Sequence, residues 1–303
     1  TKFKDNWKFN ANFSYQNLKS DNFRRIKDLL GANYANNLDA FGDNLPYDVD
    51  AADTKVYVGD RTQYSYILNK NTYAINLSTE IDLPRWNVVA SIFSSYSESY
   101  RDGQFRNHYY LNSSKGKSGL YNTTDAGMKA KVTYKIDGKN FLVYTGAFFT
   151  LAPTLNEIFV NPRTTNLITP EIQNMQINSN ELSYIIRGQV LKLRLSGYYT
   201  TIQKATEFSR YYFDISGGTT DEGNALAAEI LTNLNKTYKG LELGAEVKVT
   251  PTLSVTAVGS YGDYTVANNP NVASYDDEHG YRGKDFWGTA NIKGYKVAGT
   301  PQK

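Results

Sequence analysis

The feature that most constrains this chain is a period of two. In the stretch 181–201, ELSYIIRGQVLKLRLSGYYTT, two runs flank a small turn at Arg187-Gly188-Gln189. In the second run Leu191, Leu193, Leu195, Gly197 and Tyr199 point one way. Lys192, Arg194, Ser196, Tyr198 and Thr200 point the other. Successive side chains on a strand face opposite sides, so this hairpin has one apolar and one polar face. A one-residue slip would exchange the faces, which makes the register strongly specified.

The pattern recurs along the chain. Strands are expected over 7–18, 71–83, 86–100, 126–136 and 141–151, then in the hairpin itself, then over 236–250, 253–266 and 288–297. In the first, Trp7, Phe9, Ala11, Phe13 and Tyr15 oppose Lys8, Asn10, Asn12, Ser14 and Gln16. In the fourth, Met128, Ala130, Val132 and Tyr134 oppose Lys129, Lys131, Thr133 and Lys135. The third is blurred, since Val88, Val89, Ile92 and Phe93 fall on both faces. Pro84-Arg85, Asp137-Gly138, Gly188 and Pro251 mark short turns. Long connections alternate with them. A helix is expected in the first, with Ser20 or Asp21 as cap, Phe23, Ile26, Leu29 and Leu30 as apolar face and Gly31 as stop. A second is expected over 221–231, behind Thr220. Pro153, Pro162 and Pro170 argue against strand pairing in the connection after 151.

Strands joined by short turns at one end and long loops at the other form an all-β, antiparallel transmembrane β-barrel pattern. The 303 residues hold no apolar run of the roughly 18 that a spanning helix needs. Open sheet edges cannot persist in hydrocarbon, so about ten strands imply a larger closed wall. Residues 1–303 are therefore read as one barrel piece of a longer protein, with outer-membrane lipid as its solvent. The interfacial aromatics are Trp7, Trp86, Tyr100, Tyr134, Tyr238 and Tyr261. On the polar face, Lys129, Lys131, Lys192, Arg194, Glu242 and Glu246 are expected to line the lumen.

Composition excludes several functions. There is no Cys, hence no disulfide framework or thiolate metal site. A net charge of +3 argues for no nucleic-acid partner. His108 and His279 are the only histidines, both in polar loops, and no GxSxG is present, so no enzyme is expected. Asp48, Asp50 and Asp53 lack the central Gly and closing Glu of a calcium loop. Gly217-Gly218 lacks the strand–loop–Lys setting of a phosphate cradle. No metal and no cofactor is expected. For a small ligand at the long loops, Tyr109, Tyr110 and Trp287 offer stacking surfaces, and Arg163, Asp276 and Asp277 offer charge.

Five stretches resemble the barrel of TonB-dependent outer-membrane receptors. LAPTLNEIFVNP and NLITPEIQNMQINSNELSY carry Pro153, Glu157, Pro170-Glu171 and Glu181, and VLKLRLSGYYT carries Tyr198-Tyr199. NLNKTYKGLELGAEVKVTPTLSVTAVGSYGDY resembles a later strand pair of that barrel, with Gly240, Glu242 and the Pro251 turn, and GTPQK resembles the segment leading to the final strands. Ala152 stands where many members have Arg, and Leu182-Ser183 where Gly is common. The Asn- and Tyr-rich style resembles Bacteroidetes members. The resemblance implies a barrel of 22 strands and import of a small nutrient across the cell outer membrane. It also implies partnership with the TonB energy-coupling complex through an N-terminal plug outside this sequence, and a surface lipoprotein lid. A passive porin-like or adhesin-like barrel and a soluble β-rich carbohydrate-binding protein are the alternatives.

Overall fold

The computed structural model describes residues 2–4, 6–39, 44–214, 224–276, 280–283 and 288–300. The strands are β1 (Lys2–Lys4), β2 (Trp7–Arg25), β3 (Ala35–Asn36), β4 (Lys55–Val56), β5 (Arg61–Asp82), β6 (Trp86–Gly103), β7 (Gly116–Lys117), β8 (Tyr121–Lys135) and β9 (Asn140–Leu151). A single helical turn, α1 (Leu155–Ile158), follows. Then come β10 (Met175–Arg187), β11 (Leu191–Asp214), β12 (Asn224–Lys248), β13 (Ser254–Val266), β14 (Asn271–Asp276) and β15 (Gly280–Gly283). All strands but β3 and β4 form one antiparallel sheet, in which the long strands neighbour one another in chain order. Among the described residues the sheet does not close on itself. The architecture is that of a segment of barrel wall.

The apolar face can be followed residue by residue. Trp7, Ile81, Val88, Val132, Tyr144, Leu182, Gly197, Leu241 and Tyr261 share one unbroken register row. On β2 and β5 the apolar run leaves this row toward the long loops and ends at Tyr15 and Tyr73, whose rings lie 5.0 Å apart. On β12 and β13 it leaves in the opposite direction, through Leu243, Val247 and Val255 to Val249 and Leu253 at the short turn. The apolar band thus steps down by about one residue per strand. With a rise of about 3.3 Å per residue and a strand spacing of about 4.8 Å, that slope is about 35°, at the lower edge of the tilt of membrane-barrel strands.

The short turns descend the same staircase. Trp86 lies near the level of Trp7, whereas Val249 lies well below it in register. Tilting the sheet by this angle brings turns and band level together. From Trp86 to Tyr96 on β6 the band is then about 27 Å tall, close to the roughly 25 Å apolar belt of an outer-membrane barrel. Trp86 and Tyr134, with rings 4.6 Å apart, mark the turn-side edge. Within the band the large side chains point away from protein: Phe13 is 70% exposed, Met128 58% and Leu241 57%.

Several expectations change. β2 and β5 run far past their expected ends, and Phe23 pairs with Ser65 instead of opening a helix. The local reason is cross-strand: Arg61 holds Asp21 through two hydrogen bonds and lies 4.1 Å over the Phe23 ring. Leu29 and Leu30 are irregular, and Leu30 is 93% exposed. The expected helix over 221–231 is also absent where described. Ala227 to Leu231 are ladder-paired to β11 on one side and β14 on the other, so sheet hydrogen bonds override a weak helical period. Thr220 and Asp221 lie outside the described residues. The strand expected over 288–297 is replaced by two isolated bridges, Asn271 to Thr289 and Thr265 to Lys296, with Gly288 and Gly294 at positive φ. The blurred third strand is explained by its second face: Val88 and Ile92 join the apolar band, while Phe93 packs 6.2 Å from Phe149 on the polar face.

Candidate functional site: a loop cap bridging the polar face

All three buried apolar clusters lie at the long-loop end of the sheet. The segment 152–174 organises two of them. Prolines and the Thr154-x-x-Glu157 spacing stop the β9 strand and start α1. The Thr154 N–H donates to the Glu157 carboxylate at 2.6 Å, which holds the first turn. Ile158 and Phe159 then pack on Tyr66 and Leu68 of β5. Next in sequence, Val160 packs against Ala228 and Ile230 of β12 and Ala273 and Tyr275 of β14. One short segment therefore bridges strands far apart in the wall. Tyr66 and Leu68 stand opposite Gly103 and Arg101, in the same alternation as Lys70 and Ser99 and thus on the polar face. The bridge crosses that face.

Asp125 pins both ends of the bridge. Its carboxylate accepts from the Ala152 N–H at 2.9 Å and from Asn174 Nδ2 at 2.7 Å. Arg101 ties the bridge to the next loop. This guanidinium is 1% exposed. It donates to the carbonyls of Pro162 and Ser114 and to Asn166 Oδ1, each at 2.6 Å, and its carbon lies 5.4 Å from the Tyr66 ring centroid. Burial pushes its pKa down to about 10, so it stays charged at neutral pH. Its planar fork reaches these acceptors from two nitrogens, Nε and Nη1, which a lysine's single ammonium cannot do. Neither Arg101 nor Asp125 stands out in the sequence as a site residue. The alternation places each near a strand end, but the two loops that converge on them meet only in the fold.

The third loop, 26–60, is held by charge. Asp50 pairs with Arg106 at 3.0 Å and Lys115 at 2.7 Å. The Lys115 ammonium, with Arg106 beside it, holds the Asp50 carboxyl below its ordinary value of 3.8. Asp48 accepts from the Arg106 N–H at 3.0 Å. These aspartates make loop-to-loop ties. His108 fits the same seam, its Nδ1 3.1 Å from the Pro46 carbonyl and its Nε2 3.8 Å from Asp39.

The residues expected to meet a ligand are distributed around this cap. Tyr109 packs against His108, with centroids 4.1 Å apart. Tyr110 stacks on Tyr275 at 6.4 Å and 13°, inside the cap. Arg163 is exposed and lies 4.9 Å over the Tyr64 ring. Asp276 ends β14, paired in the ladder with Ala227 and Gly280. Asp277 and Trp287, like His279, lie outside the described residues. Tyr109, Tyr110 and Arg163 are thus gathered in one cap, where Tyr110 serves packing and Arg163 faces solvent.

Below the cap, Lys129, Lys131, Lys192, Arg194, Glu242 and Glu246 all fall on the face opposite the apolar band. Lys192 pairs with Glu246 at 3.0 Å, and Arg194 pairs with Glu181. Lys129 lies 5.0 Å over the Phe149 ring. Among the described residues, no group of three or more metal-ligating side chains forms.

No family model matches this sequence, and no curated protein matches it. Among solved structures, the copper transporter OprC is similar, with a TM-score of 0.56 and 12% identity. The likeness covers 90% of this chain and 39% of that one. It is a likeness of fold: the sheet described above is arranged as in a segment of that transporter.

Proposed function

We propose that this chain forms wall and external cap of an outer-membrane transport barrel. A small solute binds at the long-loop cap and passes along the polar face. The observation that carries this reading is the apolar band. It stays level only when the sheet is tilted by about 35°, and the same tilt levels the short turns. A soluble sheet has no reason to keep its exposed apolar side chains within one slab of membrane thickness. It would also leave a far larger apolar patch in water than soluble monomers tolerate. The TonB-coupled import of a nutrient rests on the resemblance of the 151–201 stretch and on the bridge, which narrows the polar face and so favours gated passage over free diffusion. Copper, the cargo named for the similar structure, finds few soft ligands here: no Cys, two Met and two His.

The first test is fractionation of the full-length protein from bacterial envelopes. The expected result is recovery with the outer membrane, extraction only by detergent, and heat-modifiable migration on gels. A folded, monodisperse species free of detergent would overturn the reading and favour the soluble carbohydrate-binding alternative. Solute uptake that persists after the proton gradient is collapsed would instead favour the passive barrel.

A further inference from the structure

An open groove of about 900 Å³ lies on the apolar face where β9 to β13 approach the loop end. Its floor is Gly197, whose missing side chain leaves room beside Leu241; a Cβ built there would meet Leu241 Cδ2 at 3.3 Å. Tyr144 and Leu182 form one wall, and Leu241 and Tyr261 the other. The head of the groove is polar. Lys239 and Lys296 both pair with the Asp263 carboxylate, Lys239 at 3.5 Å. Two ammonium groups share one carboxylate, so one positive charge is left over among these three. Both lysine side chains remain about half exposed, at 57% and 46%.

The position is specific. Tyr199 and Tyr261 mark the long-loop edge of the apolar band on these strands, the level at which lipid headgroups sit. Below it the same face continues apolar through Leu195 and Leu243. A groove with an oily floor, aromatic walls and a net cation at headgroup height matches an anionic amphiphile. We infer that it holds one phosphate-headed acyl lipid, its phosphate between Lys239 and Lys296 and one chain over Gly197. The inference rests on the membrane-barrel reading. Lysine binds phosphate as a compact point charge, and Asp263 sets the two ammonium groups apart.

The test uses the full-length protein, purified and delipidated in neutral detergent. It is exposed in separate arms to phosphatidic acid, to phosphatidylcholine with the same chains, and to inorganic phosphate; retention is read by native mass spectrometry. Phosphatidic acid is expected to be kept over phosphatidylcholine. The double variant K239Q/K296Q should lower that preference about thirtyfold, the ratio that corresponds to about 1 kcal/mol for each of the two cations removed. D263N should raise it, which a merely structural ion cluster would not do. G197L should reduce retention of both lipids by filling the chain's seat. Heat-modifiable migration shows that each variant is folded. Equal retention of the two lipids by the unaltered protein, an unchanged preference in K239Q/K296Q, or displacement of phosphatidic acid by inorganic phosphate would each overturn the inference. A barrel that folds only in detergent yet shows no preference sinks the lipid site alone. One that folds without detergent sinks the membrane reading beneath it.

Discussion

The wall and the cap of this molecule obey opposite burial rules. In the wall, between Trp86 and Tyr96 on β6 and their neighbours, large apolar side chains are exposed: Ile92 is 58% exposed and Phe13 70%. In the cap, beyond the long-loop ends of these strands, Ile158 and Phe159 are 1% and 0% exposed, and an arginine is as buried as they are. The wall is built for a solvent of acyl chains, so its apolar atoms gain nothing by hiding from it. The cap is built for water, so it needs a packed core with most of its buried polar groups partnered. The same alternation that gives the wall two faces gives β5 and β6 the side chains that seed the cap.

A charge on the wall's outer face tests the comparison most severely. Leu195 lies near mid-band and is 46% exposed. In water, Leu195→Arg would be close to neutral. At mid-bilayer it should cost about 2–4 kcal/mol, read as a lower denaturant midpoint for folding into lipid vesicles. Arg194→Leu, one residue away on the other face, should cost far less. If the two variants behaved alike, the two faces would not differ in solvent.

A smaller effect is expected in the cap. Arg101→Ala leaves the Pro162 and Ser114 carbonyls and Asn166 Oδ1 without their donor. The cost should be roughly 2–3 kcal/mol, confined to the cap. Limited proteolysis within 104–120 and 152–174 should quicken while vesicle insertion is unchanged. Arg101→Lys should restore only part of the protection, because one ammonium nitrogen can stand in for Nη1 between Ser114 and Asn166 but not also for Nε at Pro162. Equal loss of insertion would mean that cap and wall are one cooperative unit.

The smallest effect concerns loop 26–60. Asp50→Asn should speed cleavage within that loop only slightly, and added salt should erase the difference, since the tie is exposed. The Asp50 carboxyl is held below its ordinary 3.8. Its contribution is therefore complete above that pH and is lost as pH falls through the lowered value. Cleavage of the unaltered loop should be flat across neutral pH and rise only in strong acid.

How much was legible in the sequence differs between the regions for the same reason. In the wall, alternation is local information: Met128, Leu193 and Leu243 fall on the expected face because the strand period is two and the pairing is between neighbours. The cap depends on contacts between residues far apart in the chain, such as Arg101 with Pro162 or Val160 with Ile230. A local signal misled in the first long connection. Phe23, Ile26 and Leu29 have helical spacing, yet the Asp21–Arg61 pair and the long ladder draw Phe23 into β2. Asp48 and Asp50, weighed in the sequence against a calcium loop, join loop to loop. Tyr110, marked for ligand stacking, stacks on Tyr275.

The sequence by itself determined the strands of the apolar band, their two faces and the alternation of short turns with long loops. Strand periodicity and turn chemistry are properties of adjacent residues, so one sequence suffices to read them. The tertiary structure decided the tilt of the apolar band, the bridge across the polar face, the Arg101 hub and the lysine-headed groove over Gly197. Each depends on the register between strands, and register is set when distant segments meet, not by any one of them alone.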